Sequence, residues 1–239
     1  MVSKEIDAAQ AALDGVYLDI TGEIPVVAPL VDASRAFAFP SGFYVSYVKP
    51  MIDRVVGLIA LVLCVPLYVV IGLAIWVAMD SPVFLAQERV GRRGQVFRLW
   101  KFRTMEPDRR TVQLNWVGED RRKTHKSADD PRITGLGRWL RATRLDEIPQ
   151  FLNVVLGDLS LVGPRPELLS VVAEYEPWQH RRHAVKPGVT GLWQISDTGD
   201  ALLRDCTLME LAYLDEVSLK TDLSIIMRTF PAMLRRSGI

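Results

Sequence analysis

The longest apolar segment of the chain, residues 55–79, contains 25 residues and no charged side chain. At about 1.5 Å per residue, one continuous helix of this length would reach roughly 37 Å, enough to cross a bilayer. Pro66 lies near its middle and lacks a backbone N–H, so the pattern predicts a kink or a break there. Two arrangements fit: a kinked helix that spans the membrane, or two helices that turn near Pro66 and leave on the side where they entered.

Basic residues lie on both sides of this apolar segment. Cytoplasmic loops of membrane proteins carry an excess of lysine and arginine, so two basic flanks favour placing both ends in the cytoplasm. We therefore expect residues 49–80 to form a re-entrant helix–break–helix hairpin. The flanking residues are Lys49 and Arg54 before the segment, and Arg89, Arg92, Arg93, Arg98, Lys101 and Arg103 after it.

The remaining sequence predicts a small α+β domain that is mostly helical. Alternating apolar and polar residues on either side of Gly91–Gly94 predict a β-hairpin. Apolar residues at helical spacing predict helices within residues 135–147, 146–158, 166–185 and 202–236, with Gly157 placed to end the second. We divide the chain into an acidic extension of unknown role (residues 1–48), the hairpin (residues 49–80) and a domain formed by residues 81–239.

The charge distribution narrows the choice of partners. The formal net charge is +1, but residues 1–48 contain six acids and two basic residues, which leaves −4 there and +5 in the rest. A modestly basic body suits anionic headgroups or phosphate-bearing substrates better than a long nucleic acid, which calls for a denser basic surface. The two cysteines, Cys64 and Cys206, have neither metal-binding nor disulfide spacing, which indicates a reducing compartment.

The adjacent acids Asp146 and Glu147 are the candidate catalytic residues. Thr143 and Asp146 fit a capping-box pattern, which predicts a helix that begins near these acids. A helix N-terminus and nearby arginines would lower the pKa of Asp146 and keep it ionised. Such a carboxylate can attack phosphorus and form an aspartyl-phosphate type of intermediate, while Mg²⁺ neutralises a diphosphate. Taken alone, however, acid pairs at helix starts are mostly structural.

The surrounding motifs change that judgement. The strings LDEIPQFLNVVLGDLSLVGPRP, WKFRTM, RRHAVKPGVTGLWQIS and SLKTDLSIIMRT occur in the same order as in the bacterial sugar transferases. The chain resembles that family, the monotopic polyprenol-phosphate phosphoglycosyl transferases, from about Lys49 to Leu234. Several multi-residue motifs in register are far more specific than any one of them.

The resemblance implies a reaction and a location. Members of the family transfer a sugar 1-phosphate from a UDP-sugar to undecaprenyl phosphate and release UMP. They use a ping-pong mechanism with a covalent phosphosugar on an aspartate, which corresponds to Asp146, and a partnering glutamate corresponds to Glu147. The site also contains Mg²⁺, and Asp146 is its expected ligand. They act at the cytoplasmic face of the bacterial inner membrane. A re-entrant hairpin, whose break proline corresponds to Pro66, and interfacial amphipathic helices hold them there. For this chain, a homodimer is one expected form of assembly.

The resemblance also assigns substrate-binding residues. The lysine of the KFRTM block is Lys101, the arginine five residues before the nucleophile is Arg141, and the arginine between two prolines is Arg165. These side chains suit phosphate oxygens, lysine as a point charge and arginine as a fork. Arg103 either joins them or pairs with an acid. Trp193 lies either at headgroup level or in the core.

Three departures from the family pattern put parts of this assignment in question. Val65 stands where serine often precedes the break proline, and a fuller turn after the membrane segment is reduced to Ser81–Pro82. Asp197–Asp200 replace the Gly-Arg that commonly follows WQIS, which leaves the donor sugar open. Two other classes of protein are alternatives to the enzyme. One is an inactive membrane scaffold of a glycan assembly complex, and the other is a basic peripheral protein that binds nucleic acid or anionic lipid.

Overall fold

The computed structural model describes residues 40–79, 82–106, 132–195 and 203–235. The extension up to residue 39 and residues 196–202, which include the departure at Asp197–Asp200, lie outside the described residues. The architecture is a mostly helical α+β arrangement, as predicted, and it contains two small sheets. Its helices are α1 (Lys49–Leu63), α2 (Val65–Met79), α3 (Gly135–Ala142), α4 (Gln150–Leu156), α5 (Leu169–Val172), α6 (Leu192–Ile195), α7 (Leu203–Asp215) and α8 (Leu219–Arg235).

The two sheets differ in type. Strands β1 (Phe84–Val90) and β2 (Val96–Phe102) form the predicted antiparallel hairpin around Gly91–Gly94. Strands β3 (Ser160–Val162) and β4 (Gly188–Thr190) pair in parallel, in a two-stranded sheet of their own. The main core packs β2, α4, the second sheet, α7 and α8 together, through buried side chains that include Leu99, Val154, Leu159, Val162, Tyr213, Leu214 and Ile225.

The apolar segment forms two helices that meet at a break. The helical run Tyr44–Leu63 and helix α2 are bent by 57° relative to each other at Cys64. Pro66 is the second residue of α2, where its missing N–H costs little, so the break falls two residues before the proline. Among the described residues no single helix is long and apolar enough to cross a bilayer, whereas this bent pair is by length and composition.

Helix α1 carries polar side chains into the body of the protein. Asp53 is buried, and its Oδ1 accepts a hydrogen bond from the backbone N–H of Leu161 at 3.1 Å. Gly57 allows the helix to approach α4, because a Cβ there would lie 2.8 Å from Cγ1 of Val154. The polar side chains of α1 thus attach this helix to the rest of the domain. A membrane helix with only apolar side chains would not make such hydrogen bonds.

Lys49 is buried at the start of α1 and is therefore not a surface cation. Its Nζ donates to Oδ2 of Asp222 at 2.6 Å and to the carbonyl of Val162 at 3.0 Å. The hydroxyls of Tyr44 and Tyr213 also donate to this carboxylate. The ion pair joins the start of α1 to α8, between residues 173 positions apart in sequence.

Helix α2 packs on the same domain as α1. Ile71, Ile75 and Met79 contact a core cluster that contains Phe102 of β2 and Leu140 of α3. Both ends of the bent pair therefore contact the same domain. The opposite faces expose large apolar side chains, including Val56, Leu58, Ile59, Val62, Leu63, Val65, Val69, Val70, Leu73, Trp76 and Val77.

The Lys49–Asp222 ion pair leads to a stability prediction. Lys49→Met should lower the free energy of unfolding by about 3–5 kcal/mol, because it leaves a buried carboxylate without its cation. Lys220→Met, at an exposed position of α8, is the matched control and should change it by less than about 0.5 kcal/mol. Denaturant unfolding of the detergent-held proteins measures both, and equal small losses would contradict the prediction.

Candidate active site

The acid pair lies in a short turn between two helices. Leu145–Glu147 form one turn of 3₁₀ helix after Arg144, which adopts a left-handed conformation with φ 57° and so ends the path of α3. The capping-box prediction is wrong: Thr143 closes α3, where its hydroxyl donates to the carbonyl of Trp139 at 2.9 Å. Helix α4 begins at Gln150, and Pro149 is the residue that precedes it.

Glu147 is the member of the pair that is held by cations. Nζ of Lys101 donates to its Oε1 at 2.8 Å, and both side chains are nearly buried. Nη2 of Arg165 lies 4.0 Å from the same oxygen, and Nη1 of Arg144 lies 3.9 Å from Oε2. Two predicted substrate-binding residues, from β2 and from the segment after β3, thus meet at the acid pair.

Burial and the neighbouring charges together shift the pKa values of the two acids in opposite directions. Burial of Asp146, which is 8% exposed, and the neighbouring charge of Glu147 raise the pKa of Asp146 to about 6. Lys101, Arg141 and Arg165 oppose this rise but do not cancel it. The arginines thus lower this pKa as expected, but burial and Glu147 outweigh them, and a carboxyl with a pKa of about 6 is still mostly ionised at pH 7.

The cations act mainly on the other acid. Burial also disfavours the charged form of Glu147, but Lys101, Arg165 and Arg144 outweigh it and hold the pKa of Glu147 at about 2. Burial lowers the pKa of Lys101, while Glu147 opposes that change. The site therefore contains one permanently ionised carboxylate and one that titrates in the range of catalytic groups.

Arg141 approaches the pair from α3. Its Nε donates to Oγ1 of Thr104 at 2.9 Å, just beyond the end of β2. Gly137 makes the contact between α3 and this strand end close, because a Cβ there would lie 1.9 Å from the carbonyl oxygen of Thr104. Arg141 is thus placed beside Asp146, on whose pKa it acts.

The backbone of Arg165 is fixed by a second buried ion pair that the sequence did not reveal. Its N–H donates to Oε1 of Glu210 at 2.7 Å, and its carbonyl accepts from Nη2 of Arg182 at 2.6 Å. Arg182 and Glu210 also pair with each other at 2.6 Å. The guanidinium of Arg165 lies 6.0 Å from the ring centre of Trp193, which assigns that tryptophan a contact in the site.

Arg103 has a different environment. Its Nε donates to the carbonyl of Pro82 at 2.8 Å. In the described parts of the chain it is not among the cations that act on Asp146 or Glu147. Its role in substrate binding stays a prediction.

Magnesium is the predicted cofactor, and the turn offers two carboxylates for it. Within residues 40–79, 82–106, 132–195 and 203–235, no group of three or more His, Cys, Asp or Glu side chains comes together as a metal site. Mg²⁺ commonly binds through one or two carboxylates together with substrate phosphates. The donor set at Asp146 and Glu147 therefore fits an ion shared with a bound diphosphate, and the cofactor stays a prediction.

Comparison with known proteins identifies the family of this chain. The model of the family described as "Bacterial sugar transferase" matches residues 44–236. The chain belongs to the bacterial sugar transferase family. This confirms the family predicted from the sequence, and with it the general class of transferase.

Individual relatives match the same region. The chain is 37% identical over 194 residues to the galactosyl transferase CpsE of Streptococcus agalactiae serotype III, and 34% identical over 196 residues to the exopolysaccharide production protein ExoY of Sinorhizobium fredii. It is 33% identical over 198 residues to the undecaprenyl-phosphate galactose phosphotransferase of Salmonella typhimurium. Each match covers 80% of this chain; the chain spans 43%, 87% and 41% of these relatives, respectively.

The raised pKa of Asp146 leads to a titration prediction. In protein labelled with ¹³C-aspartate and free of divalent cations, the carboxyl carbon of Asp146 should titrate near pH 6, assigned by its loss in Asp146→Asn. Glu147→Gln should move the midpoint to lower pH, because it removes a neighbouring negative charge and releases Lys101. Asp215→Asn, at an exposed carboxylate, should leave it in place. A wild-type midpoint near 4 would contradict the burial argument.

Proposed function

We propose that this protein transfers a sugar 1-phosphate from a UDP-sugar to undecaprenyl phosphate, with a covalent intermediate on Asp146. The observation that carries the proposal is a buried carboxylate with a raised pKa beside Glu147, Lys101 and Arg165, in a chain of the bacterial sugar transferase family. The names of relatives support the substrates: one from Klebsiella pneumoniae is a UDP-glucose:undecaprenyl-phosphate glucose-1-phosphate transferase.

In the first half-reaction, a carboxylate oxygen of Asp146 attacks the phosphorus that carries the sugar. A bond forms between that oxygen and phosphorus, and the bond to the bridging oxygen breaks, so UMP leaves with the electron pair. Lys101 and Arg165 stabilise the charge on the phosphate oxygens. Carboxylate oxygens of Asp146 and Glu147 would hold Mg²⁺, which would supply further neutralisation of the diphosphate.

In the second half-reaction, a phosphate oxygen of undecaprenyl phosphate attacks the same phosphorus. The new bond completes the polyprenyl diphosphate sugar, and the carboxylate of Asp146 leaves unchanged. Its burial keeps water away from the acyl phosphate, which would otherwise be lost to hydrolysis. In such a two-step exchange both substrates react at the same site. The acid pair at this turn is proposed to be that site.

The bent pair α1–α2 is proposed to be re-entrant in the cytoplasmic leaflet. Both of its ends contact the same domain, through Lys49–Asp222 at one end and through Met79 in the Phe102 cluster at the other. A spanning helix would separate its ends by about 30 Å of hydrocarbon. The exposed apolar faces of the pair and those of α8, with Leu219, Leu223, Met227 and Phe230, suit lipid contact at an interface.

The reaction is tested by UMP release from nanodisc-held protein with Mg²⁺ and a panel of UDP-galactose, UDP-glucose and their N-acetylated counterparts. Without acceptor, the effective donor should release about one UMP per protein and add the mass of one sugar phosphate to the chain. Asp146→Asn should do neither, because its amide is a poor nucleophile. With undecaprenyl phosphate, wild-type release should become catalytic.

The matched control is Asp215→Asn, the same chemical change at an exposed carboxylate, which should retain full turnover. UMP release only when both substrates are present would contradict the covalent intermediate. Silence of well-folded wild-type protein across the panel would favour the inactive scaffold.

Re-entry is tested by labelling with a membrane-impermeant thiol reagent. Single cysteines replace the exposed Ser41, before the bent pair, and Gln95, after it, in a background with Cys64→Ser and Cys206→Ser. Both should react only after the inner membrane is permeabilised, since both ends are expected in the cytoplasm. Reaction of one site in intact spheroplasts would instead indicate a helix that crosses the bilayer.

A further inference from the structure

Tyr68 of α2 donates a hydrogen bond to the acid turn, the segment 145–148 that carries the two acids. Its hydroxyl lies 2.9 Å from the carbonyl oxygen of Ile148, the residue directly after Glu147. That carbonyl also accepts the N–H of Phe151 at 3.1 Å, so Tyr68 uses its second acceptor position. A helix of the bent pair is therefore bonded to the backbone beside the acid pair.

Packing alone does not call for a hydroxyl at this position. Tyr68 is half-buried, and the next residues, Val69 and Val70, are exposed on the face proposed to contact lipid. Phenylalanine could make the same ring contacts, and a hydroxyl in apolar surroundings costs free energy unless it forms a hydrogen bond. The bond to Ile148 offsets that cost, so it is the specific contribution of the hydroxyl.

Two phenylalanines of the β-hairpin hold the ring of Tyr68. The centre of its ring lies 5.5 Å from that of Phe102 and 6.5 Å from that of Phe84. The two phenylalanines stack on each other at 5.3 Å. Aromatic pairs attract each other at such distances, so the ring is held and its hydroxyl is directed at the acid turn.

The acid turn has little local support of its own. It follows Arg144, whose left-handed backbone conformation costs free energy in a residue other than glycine. The hydrogen bond from the N–H of Ile148 to the carbonyl of Leu145, which closes its 3₁₀ turn, is long at 3.4 Å. Other segments must therefore hold the turn. The side chains of Leu145 and Ile148 pack against the cluster that contains Ile75 of α2.

We propose that Tyr68 is a positioning residue, whose hydroxyl fixes the acid turn to α2 and so keeps Asp146 in place for attack on phosphorus. Both acids lie between Leu145 and Ile148, so both move if the turn loses this anchor. The inference rests on the proposed function for the reaction at Asp146. Since the rate depends on the placement of the nucleophile, a looser turn should slow the chemical step more than it weakens donor binding.

The variant Tyr68→Phe removes the hydroxyl and keeps the ring. In nanodiscs with Mg²⁺, the UDP-sugar that supports UMP release and no acceptor, the maximal single-turnover rate should fall about fivefold, the size of one net hydrogen bond. The donor concentration at half-maximal rate should change by less than about twofold, because Lys101 and Arg165 belong to other segments. A general loss of stability would instead lower the amount of UMP released.

Tyr44→Phe is the matched control, because it makes the same chemical change in another partly buried hydrogen bond. The hydroxyl of Tyr44 donates to Oδ2 of Asp222 at 2.6 Å. A hydrogen bond to a carboxylate is stronger than one to a carbonyl, so this variant should lower the melting temperature at least as much as Tyr68→Phe. Its single-turnover rate should nevertheless equal that of the wild type.

Hydrogen exchange measures the anchor without any substrate. In Tyr68→Phe, the backbone amides of residues 147, 148 and 151 should exchange about fivefold faster than in the wild type, because the turn opens more often. In Tyr44→Phe these amides should exchange at the wild-type rate.

Three results would overturn the inference: an unchanged single-turnover rate in Tyr68→Phe, an equal loss of rate in Tyr44→Phe, or unchanged exchange of the turn amides. A higher half-saturating donor concentration with an unchanged maximal rate would also do so, since it would assign Tyr68 to donor binding. Absence of UMP release by wild-type protein is a separate result that contradicts the proposed function, and hydrogen exchange then decides whether Tyr68 anchors the turn.

Discussion

The ion pair between Lys101 and Glu147 is the contact on which the site depends. It joins the end of the β-hairpin to the turn after α3 at 2.8 Å, with both side chains nearly buried. A buried carboxylate without a cation is strongly unfavourable, so this pair keeps Glu147 ionised and fixed. Asp146, one residue earlier, is buried without an equally close partner and becomes the acid that titrates. Neighbouring carboxylates thus acquire different properties from their surroundings alone.

The other cations reach the acids only because remote segments are held together. Arg165 follows β3, and its backbone is clamped by Glu210 of α7 and by Arg182. The approach of this segment to β4 requires glycine, since a Cβ at Gly188 would lie 2.1 Å from the backbone nitrogen of Gly163. The close contact of these two glycines therefore helps to determine where Arg165 lies.

Local signals in the sequence predicted much of the fold. Alternation around Gly91–Gly94 predicted the hairpin, Gly157 ends α4 in a left-handed conformation with φ 91°, and Pro66 lies two residues from the observed break. These features depend on short stretches of chain, and proline and glycine restrict or permit specific backbone angles wherever they occur.

Features that depend on tertiary burial could not be predicted. The pattern around Thr143 matched a cap, but Arg144 reverses the chain and makes that residue the end of a helix. The sequence indicated that Lys49 is a flanking surface charge, whereas its side chain is buried beside Asp222. The first of these properties depends on the backbone angle of Arg144, and the second depends on a contact between residues 173 positions apart in sequence.

That separation has a consequence for how the chain matures. The Lys49–Asp222 bridge joins residues 173 positions apart, so the ribosome makes Lys49 well before Asp222. Folding during synthesis proceeds from the N-terminal side, and contacts between distant residues are slow to form. The apolar helices α1 and α2 therefore emerge well before the carboxylate that secures them. In the proposed re-entrant arrangement, lipid receives these helices first, and the rest of the domain then assembles on them.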